Sequence, residues 1–244
     1  MKYLIFGDSH GKDMQKLEKA ISIENPDVLV DLGDHDQIQT IRDFMAIEKQ
    51  FLKDGKQTIK VAGNHDYAIL KNEQINSSTL RIKGKTSYQL HQELFRDKEA
   101  YNYMSSLINS DFMVRGFIDK DKFEDKFPFV VVHGAYAGNI SNNPECPEEL
   151  KPLWCKLISD KDISPNFDEM KKRGEKIMIR GHDHFPLYYV KDSKGEDGTP
   201  TCDGDRYELS EDKLHIINPG AFLYGHYATI DSSGKTPFVE YRNV

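Results

Sequence analysis

Two histidines flank an aspartate in the stretch IRGHDHFPL (179–187), directly behind an apolar run. Imidazole and carboxylate side chains together suit divalent transition metals such as Mn, Fe, Co, Ni and Zn. Five such polar clusters, holding six of the nine histidines, follow apolar runs: GDSH (7–10), GDHD (33–36), GNHD (63–66), HG (133–134) and GHDH (181–184). These donors are too many for one ion, whereas two ions sharing a bridging carboxylate would use them and would suit in-line displacement at phosphorus.

The elements that must position these clusters alternate between strand and helix in the N-terminal third. Apolar runs at 2–6, 27–32 and 58–62 are separated by stretches with helical spacing, which is typical of βαβ units and a sheet covered on both faces. Two more buried strands are predicted at 127–134 and 176–181. Because ligands gather beyond the carboxyl ends of strands in open α/β sheets, we expect the clusters to converge.

The remaining segments differ in composition. Residues 67–126 are charged and have helical spacing in places, which predicts a mainly helical insertion over the sheet. Residues 139–165 predict a second inserted segment with irregular loops, and 191–205 predict an exposed loop. Both insertions are candidate lid or recognition segments within a single domain, 1–244. Short strands are expected at 185–190, 213–218, 226–231 and 238–241.

The composition is that of a soluble globular protein. No apolar stretch approaches the roughly 20 residues that cross a membrane, and the N-terminus MKYLIFGDSHG lacks the features of a signal peptide. The net charge of -7 argues against extended nucleic-acid binding, which needs a basic face. Cys146, Cys155 and Cys202 form no CxxC pair, which fits a reducing compartment. We therefore expect a cytoplasmic protein.

Taken in order, the blocks GDSHG, GDHD, GNHD, HG and GHDH resemble the calcineurin-like metallophosphoesterase superfamily, whose pattern is D-x-H, G-D, G-N-H-[DE], H and G-H-x-H. The match extends over residues 7 to 184, and a family-like Asn218-Pro219-Gly220 turn follows it. The resemblance implies an α/β fold, a four-layer α/β/β/α sandwich of two mixed sheets flanked by helices. It also implies a dinuclear metal centre at one edge of that sandwich.

The resemblance further implies roles for individual residues. His65 corresponds to the family's non-ligand histidine, which would act as a general acid that protonates the leaving oxygen or stabilises its charge. The implied metal ligands form two sets joined by a bridging carboxylate: Asp8, His10 and His184 for one metal, Asn64, His133 and His182 for the other, and Asp34 for both.

The second block departs from the pattern G-D-x-x-D-R-G, which protein phosphatases and diadenosine tetraphosphatases of this superfamily share. In the block GDHDQI (33–38) the second aspartate comes one place early and the arginine is missing. By analogy, Asp36 is a candidate residue for orienting His65. His35 and Asp183 have no counterpart in the family pattern, and either hydrogen bonding to a ligand or solvent exposure would fit them.

Other candidates have an ordinary structural explanation beside the functional one. Arg42 and Arg180 could meet phosphate, but we expect surface ion pairing. His215 and His226 follow the late strand pattern and are expected in the core or at a sheet edge. Four aromatic residues next to the motif blocks could stack on a base or aryl group or could simply pack: Tyr67, Tyr136, Phe185 and Tyr224.

The function that the resemblance implies is a metal-dependent hydrolase of a small phosphodiester or phosphomonoester, acting through a metal-bridging hydroxide. Manganese is the first choice of metal, with Fe, Zn, Ni, Co or Mg as alternatives. The alternative functions are a phosphoprotein phosphatase, a dinucleoside polyphosphate hydrolase, or a non-catalytic protein-binding scaffold like a retromer subunit of the same superfamily. The filled ligand positions and His65 favour an enzyme. A protein partner could still bind the 67–126 insertion.

Overall fold

A computed structural model of the chain describes residues 1–75, 85–108, 112–140 and 146–244. Parts of both predicted insertions, residues 76–84, 109–111 and 141–145, lie outside the described residues. The strands are β1 (Lys2–Phe6), β2 (Val28–Asp31), β3 (Gln57–Lys60), β4 (Met113–Phe117), β5 (Pro128–Val132), β6 (Ile177–Ile179), β7 (Pro186–Asp192), β8 (Gly195–Pro200), β9 (Arg206–Glu208), β10 (Leu214–Pro219), β11 (His226–Asp231) and β12 (Phe238–Asn243).

The first sheet is mixed and has the strand order β3-β2-β1-β11-β12-β9. β1, β2 and β3 pair in parallel, with Tyr3 opposite Val28 and Leu29 opposite Thr58. β11 continues the sheet antiparallel to β1 and is followed by β12 and β9, each antiparallel to its neighbour. Because the first three strands are parallel, their carboxyl ends, and the polar clusters that follow them, lie at the same edge.

The second sheet is also mixed and has the strand order β4-β5-β6-β10-β7-β8. β5, β6 and β10 are parallel, and β4, β7 and β8 are added antiparallel at the two sides. The parallel strands β5 and β6 end directly before His133 and close before His182. This sheet therefore presents the other two polar clusters at the carboxyl ends of its central strands.

The described helices are α1 (Gln15–Glu24), α2 (Ile38–Lys53), α3 (Asn64–Lys71), α4 (Ser87–Arg96), α5 (Lys98–Ile108), α6 (Lys120–Phe123), α7 (Lys151–Trp154) and α8 (Asp160–Arg173). Helix α4 begins after Thr86, which forms a capping box with Gln89. Helix α8 ends at Arg173 and is followed by Gly174, whose φ of 72° suits glycine. No helix in the described ranges combines the length and the apolar character needed to span a membrane.

Three layers of the apolar core line the sheets because strand side chains alternate between the two faces of a sheet, and a fourth cluster packs among α2, α3, α4 and α5. Tyr3 and Ile5 of β1 pack between the sheets together with Ile179 of β6. The alternate residues of β1 pack against α1 and α2, and the outer face of the second sheet packs against α8. The layers therefore run helix, sheet, sheet, helix, and the predicted four-layer α/β/β/α sandwich is confirmed.

Three secondary-structure predictions were wrong or incomplete. Residues 191–205 are not all loop, since β8 forms a hairpin with β7. The sequence of β8, GEDGTP, is almost wholly exposed and therefore lacks the alternation of apolar residues that marks a strand. The 67–126 segment is mainly helical as predicted but also contains β4, and α8 begins inside the segment predicted as irregular, 139–165.

Candidate metal centre

The polar clusters of the two sheets meet in the structure. The backbone N–H of His182, from the second sheet, donates to Asp8 Oδ2 of the first at 2.9 Å. His133 Nδ1 donates to the carbonyl of Leu32 at 2.6 Å. The structure thus brings together all seven residues that the sequence predicted as ligands, and six of them are buried while His184 is partly exposed: Asp8, His10, Asp34, Asn64, His133, His182 and His184.

The backbone in these clusters adopts a conformation that side chains other than glycine rarely take. A positive φ at a non-glycine residue is uncommon, and such residues tend to gather at functional sites. The turns are held by main-chain bonds, including Asp8 N–H to the Gly33 carbonyl and His10 N–H to the Asp34 carbonyl, both 2.9 Å. Six residues of the clusters have φ between 44° and 72°: Asp8, His10, Asp34, Asp36, His182 and His184.

Two glycines allow the backbone to approach the buried carboxylates closely. A Cβ atom on Gly63 would lie 1.9 Å from Asp34 Oδ1, and one on Gly181 would lie 2.6 Å from Asp8 Oδ2. Both distances are far below van der Waals contact, so no larger residue fits at either place without moving a carboxylate. The glycines of the GNHD and GHDH blocks therefore have a steric function in the centre.

The first donor set comprises Asp8, His10 and His184. Asp8 Oδ1 lies 3.4 Å from His184 Nε2 and 3.9 Å from His10 Nε2. The two Nε2 atoms are themselves 2.9 Å apart. Three donor atoms from the loops after β1 and β6 therefore face one point. Burial alone would raise the pKa of Asp8, but His184 and His133 hold it below its ordinary value.

The second donor set comprises Asn64, His133 and His182. His133 Nε2 lies 3.0 Å from Asn64 Oδ1. His182 Nε2 donates to the Trp154 carbonyl at 3.2 Å, which leaves its Nδ1 as the nitrogen with a free lone pair. Burial is the main reason why the pKa of His182 lies well below its ordinary value, so this imidazole is neutral and can bind a cation.

Asp34 stands between the two sets. Its Oδ1 accepts the backbone N–H of His65 at 2.9 Å. Its Oδ2 lies 3.4 Å from His133 Nε2 and 3.9 Å from His10 Nε2, so one oxygen faces both sets. Burial would raise the pKa of this carboxyl, but His133 and His65 hold it well below its ordinary value. A carboxylate in this place has the geometry for sharing between two cations.

The donor atoms of both sets fit divalent cations. Asp8 Oδ1 is buried and has no hydrogen-bond partner among the described residues, which is unfavourable for an oxygen that carries charge. His133 donates its Nδ1–H to a carbonyl, so Nε2, which lies 3.0 Å from the side-chain oxygen of Asn64, is the ring nitrogen that would bind a cation. An unpaired carboxylate oxygen among imidazole nitrogens is what a bound divalent cation would satisfy.

His65 and Asp36 form a hydrogen-bonded pair beside the first donor set. His65 Nδ1 donates to Asp36 Oδ1, and His10 Nδ1 donates to Asp36 Oδ2, both at 2.9 Å. Burial would lower the pKa of His65, but Asp36 and Asp34 outweigh it and raise the pKa to about 10. Burial would raise the pKa of Asp36, but His65 and His10 lower it to about 2. One carboxylate thus bonds both a predicted ligand and the predicted general acid.

Asp66 is a buried residue of the site that sequence reasoning did not single out. Its carboxylate accepts the backbone N–H groups of Asp34, His35 and Gly63 at 2.7 to 3.0 Å. It therefore joins the second and third polar clusters and fixes the turn that carries Asp34. The signal that could have identified it is the acidic fourth position of the GNHD block.

Solvent exposure, one of the two interpretations kept open for His35 and Asp183, is wrong for both. His35 is buried, donates Nε2–H to Asp31 at 2.9 Å and stacks on Phe44. Asp183 is buried against Arg180 and the backbone N–H of Leu157. Neither side chain bonds the side chain of a predicted ligand, so both support the loops around the site.

The weaker candidates divide into confirmed and wrong predictions. Arg42 forms an exposed pair with Asp97 as expected, whereas the surface pairing predicted for Arg180 is wrong because that side chain is fully buried. His215 lies in the core, and His226 begins β11 in a half-buried position. Tyr67 packs against Phe112, and Tyr136 donates to Glu175, while Phe185 and Tyr224 remain 71% and 60% exposed.

The family model described as the calcineurin-like phosphoesterase superfamily domain matches residues 1–230. The chain belongs to this superfamily. The resemblance seen in the five motif blocks is thereby confirmed, and the match includes both donor sets and the Asn218-Pro219-Gly220 turn. A comparison with curated proteins found no match.

Several solved structures are similar to this chain. A metallophosphoesterase from Sphaerobacter thermophilus is 24% identical with a TM-score of 0.65, over 100% of this chain and 88% of that one. A hypothetical protein from Pyrococcus horikoshii is 11% identical with a TM-score of 0.57, with the same coverage. A zinc-complexed Vps29 from Entamoeba histolytica is 11% identical with a TM-score of 0.46, over 100% and 98%. Identities this low establish the fold alone, and the Vps29 likeness is too weak to carry an argument.

Proposed function

We propose that this protein is a metal-dependent phosphoesterase that hydrolyses a small phosphodiester or phosphomonoester. The observation that carries this proposal is the buried, unpartnered Oδ1 of Asp8, which faces His184 Nε2 at 3.4 Å beside a second donor set. Asp34 Oδ2 faces both sets. An unpaired carboxylate oxygen among imidazoles suits bound divalent cations, and two of them in one site suit phosphoester chemistry.

The residues would divide the metal binding as the superfamily pattern implies. Two bound divalent cations would activate water and neutralise the charge that grows on the phosphoryl oxygens. Manganese is our first choice, although nitrogen and oxygen donors of this kind accept several ions. The first cation would be held by Asp8, His10 and His184, the second by Asn64, His133 and His182, and both by Asp34.

His65 would act as the general acid. Its Nδ1–H is held by Asp36 at 2.9 Å, which leaves the proton on Nε2 for transfer to the leaving oxygen. The Asp36 carboxylate that accepts Nδ1–H also favours the protonated imidazole, which is the state a general acid needs. Proton donation of this kind contributes about 10²–10⁴-fold to a rate. Asp36 would orient the ring and stabilise its charged form.

A small substrate and a cytoplasmic location complete the proposal. Where protein phosphatases and diadenosine tetraphosphatases of the superfamily have an arginine in the second block, this chain has the start of α2, so that side chain is not available to grip phosphate. Cys146, Cys155 and Cys202 are free thiols, which supports a reducing compartment.

The test combines metal analysis with model substrates. The purified protein is stripped with a chelator, reloaded with Mn²⁺, analysed for metal content, and assayed on bis-aryl and mono-aryl phosphates. We expect about two equivalents of metal per chain, and hydrolysis that disappears on stripping and returns on reloading. The ratio of the two rates then distinguishes a diesterase from a monoesterase. A metal-replete protein that is inert on every phosphoester would favour the protein-binding scaffold instead.

A further inference from the structure

Arg180 is a fully buried arginine at the end of β6 whose guanidinium bonds three separate parts of the chain. Its Nε donates to the Gly134 carbonyl at 2.7 Å, and one terminal nitrogen donates to the Cys155 carbonyl at 3.2 Å. The other terminal nitrogen is in direct contact with the carboxylate of Asp183. Since it is buried and each of its three nitrogens is bonded within the protein, Arg180 does not meet phosphate, and its charge is matched by Asp183.

The Arg180–Asp183 pair holds the segment 151–157 against the second sheet. Asp183 accepts the backbone N–H of Leu157 at 3.4 Å, and Arg180 holds the Cys155 carbonyl two residues earlier. The same segment accepts the N–H of Gly134, next to His133, through the Pro152 carbonyl at 2.6 Å. Three bonds therefore tie this segment to the ends of β5 and β6, where ligands of the second donor set begin.

One carbonyl of the segment 151–157 contacts a candidate ligand directly. The Trp154 carbonyl accepts His182 Nε2–H at 3.2 Å, which fixes both the ring orientation and the tautomer with Nδ1 free. In the first donor set the corresponding partner of His10 is a side chain, Asp36. The orientation of His182 thus depends on where the segment lies, and the position of the segment depends on Arg180 and Asp183.

We propose that Arg180 and Asp183 are positioning residues for the second donor set. They hold the segment 151–157 so that the Trp154 carbonyl presents His182 Nδ1 to the second cation. The inference rests on the proposed metal centre, because a positioning role is meaningful only if that centre binds metal.

The first test measures metal binding in Arg180→Met and Asp183→Asn. Chelator-stripped protein is titrated with Mn²⁺ by calorimetry, and metal content is checked by elemental analysis. We expect the affinity of the second cation to fall by about 10–100-fold, as for other residues that orient a ligand, while the first stays close to wild type. The matched control is Arg173→Met, which removes an arginine from an exposed pair with Glu169 and should leave both affinities unchanged.

A second test separates positioning from general stability. Replacing a buried ion pair with apolar residues often restores stability that single substitutions remove, so Arg180→Met/Asp183→Leu should unfold at a higher denaturant concentration than either single variant. If the pair only stabilises the fold, metal affinity will recover in the double variant. If it positions His182, the weak second site will persist, and the nitrogen-15 shifts of His182 in metal-free protein will show loss of the single Nε2–H tautomer.

The outcomes distinguish the two proposals. Wild-type protein that binds about two Mn²⁺, with single variants that bind them equally well, would overturn the positioning role and leave the phosphoesterase proposal intact. Recovery of the second site in the double variant would also overturn it. Wild-type protein that binds neither Mn²⁺ nor any of Fe²⁺, Zn²⁺, Ni²⁺, Co²⁺ and Mg²⁺ would overturn both proposals together.

Discussion

The two donor sets use similar side chains but are held in different ways. In the first set, His10 Nδ1–H donates to the Asp36 carboxylate at 2.9 Å. In the second, His133 and His182 donate to main-chain carbonyls at 2.6 and 3.2 Å. Both kinds of partner fix the tautomer, but a carboxylate also raises the basicity of the imidazole ligand. A charged side chain therefore orients an imidazole of the first set, whereas the backbone orients the imidazoles of the second.

The two sets also differ in exposure. The His184 side chain of the first set is 25% exposed, whereas His133 and His182 of the second set are buried. The opening to solvent thus lies on the side of the first set. His65 is on the same side, since its ring lies 4.8 Å from that of His10. The first set, which is nearer the opening, shares the Asp36 carboxylate with the proposed general acid His65. The buried second set is instead held by main-chain carbonyls.

The largest expected effect comes from the residue that joins the sets. Asp34→Asn keeps the size of the side chain, and asparagine tolerates the φ of 63° at this position. We expect both cations to bind poorly and turnover to fall by about 10³-fold or more, because cations held in place contribute several kcal/mol to phosphoester chemistry.

Elemental analysis and the rate on an aryl phosphate measure the effect of Asp34→Asn. The matched control is Asp168→Asn, which changes an exposed aspartate paired with Lys191 and should behave like wild type. If Asp34→Asn lost only one cation, Asp34 would belong to a single set and the shared-carboxylate arrangement would be contradicted.

The next effect separates chemistry from metal binding. His65→Asn removes the proposed general acid but no proposed ligand, so we expect both cations to remain bound. Turnover should fall by about 10²–10⁴-fold on substrates with poor leaving groups and much less on substrates with good ones. The rates on a series of aryl phosphates measure this, with metal content determined on the same samples. Full activity on poor leaving groups would remove His65 from the mechanism.

A smaller effect tests whether the Asp36 carboxylate influences only the first donor set. An amide in place of Asp36 can accept from only one of the two imidazoles that the carboxylate now bonds. We expect Asp36→Asn to weaken binding of the first cation by about 10–100-fold and to leave the second unchanged. Calorimetric titration with Mn²⁺ measures both affinities. Equal weakening of both cations would mean that the two sets are not held independently.

Much of this centre could be predicted from the sequence because its parts are local. Each polar cluster follows a buried strand, and parallel strands of one sheet bring their carboxyl ends to one edge, so the meeting of Asp8, Asp34 and Asn64 follows from topology. Which atoms face one another depends on residues that are far apart in the sequence, so it could not be predicted in this way. The double role of Asp36, between His65 and His10, depends on how loops from different strands pack.

The wrong predictions have the same origin. Arg180 was expected at the surface because arginine is rarely buried, but its acceptors at Gly134, Cys155 and Asp183 come from separate segments that only the fold brings together. β8 was missed because an exposed hairpin strand has no buried face to impose alternation. Where a structure depends on non-local hydrogen bonds rather than on burial pattern, the sequence contains little readable signal.

The smallest effect concerns an imidazole outside both sets. His215 is buried on β10 and bonds the Tyr188 hydroxyl and the Ser210 carbonyl rather than a carboxylate. Burial lowers its pKa from 6.5 to about 4. At His133 burial also acts to lower the pKa, but Asp34 outweighs it and raises the pKa to about 9. At these two buried histidines the neighbouring charge, not burial alone, therefore decides the direction of the pKa shift when no metal is bound.

His215 should make the fold less stable in mild acid. Because its folded pKa lies below its unfolded pKa, the unfolded chain binds the extra proton as the pH falls, and stability present above the unfolded pKa is lost. Between about pH 7.5 and about pH 5.5 this loss amounts to about 1 kcal/mol of the free energy of unfolding. We expect His215→Gln to remove that part of the pH dependence, as measured by urea denaturation at both pH values, whereas His91→Gln on α4 should retain it. Identical pH slopes for His215→Gln and wild type would show that this imidazole is protonated in the folded core as readily as in the unfolded chain.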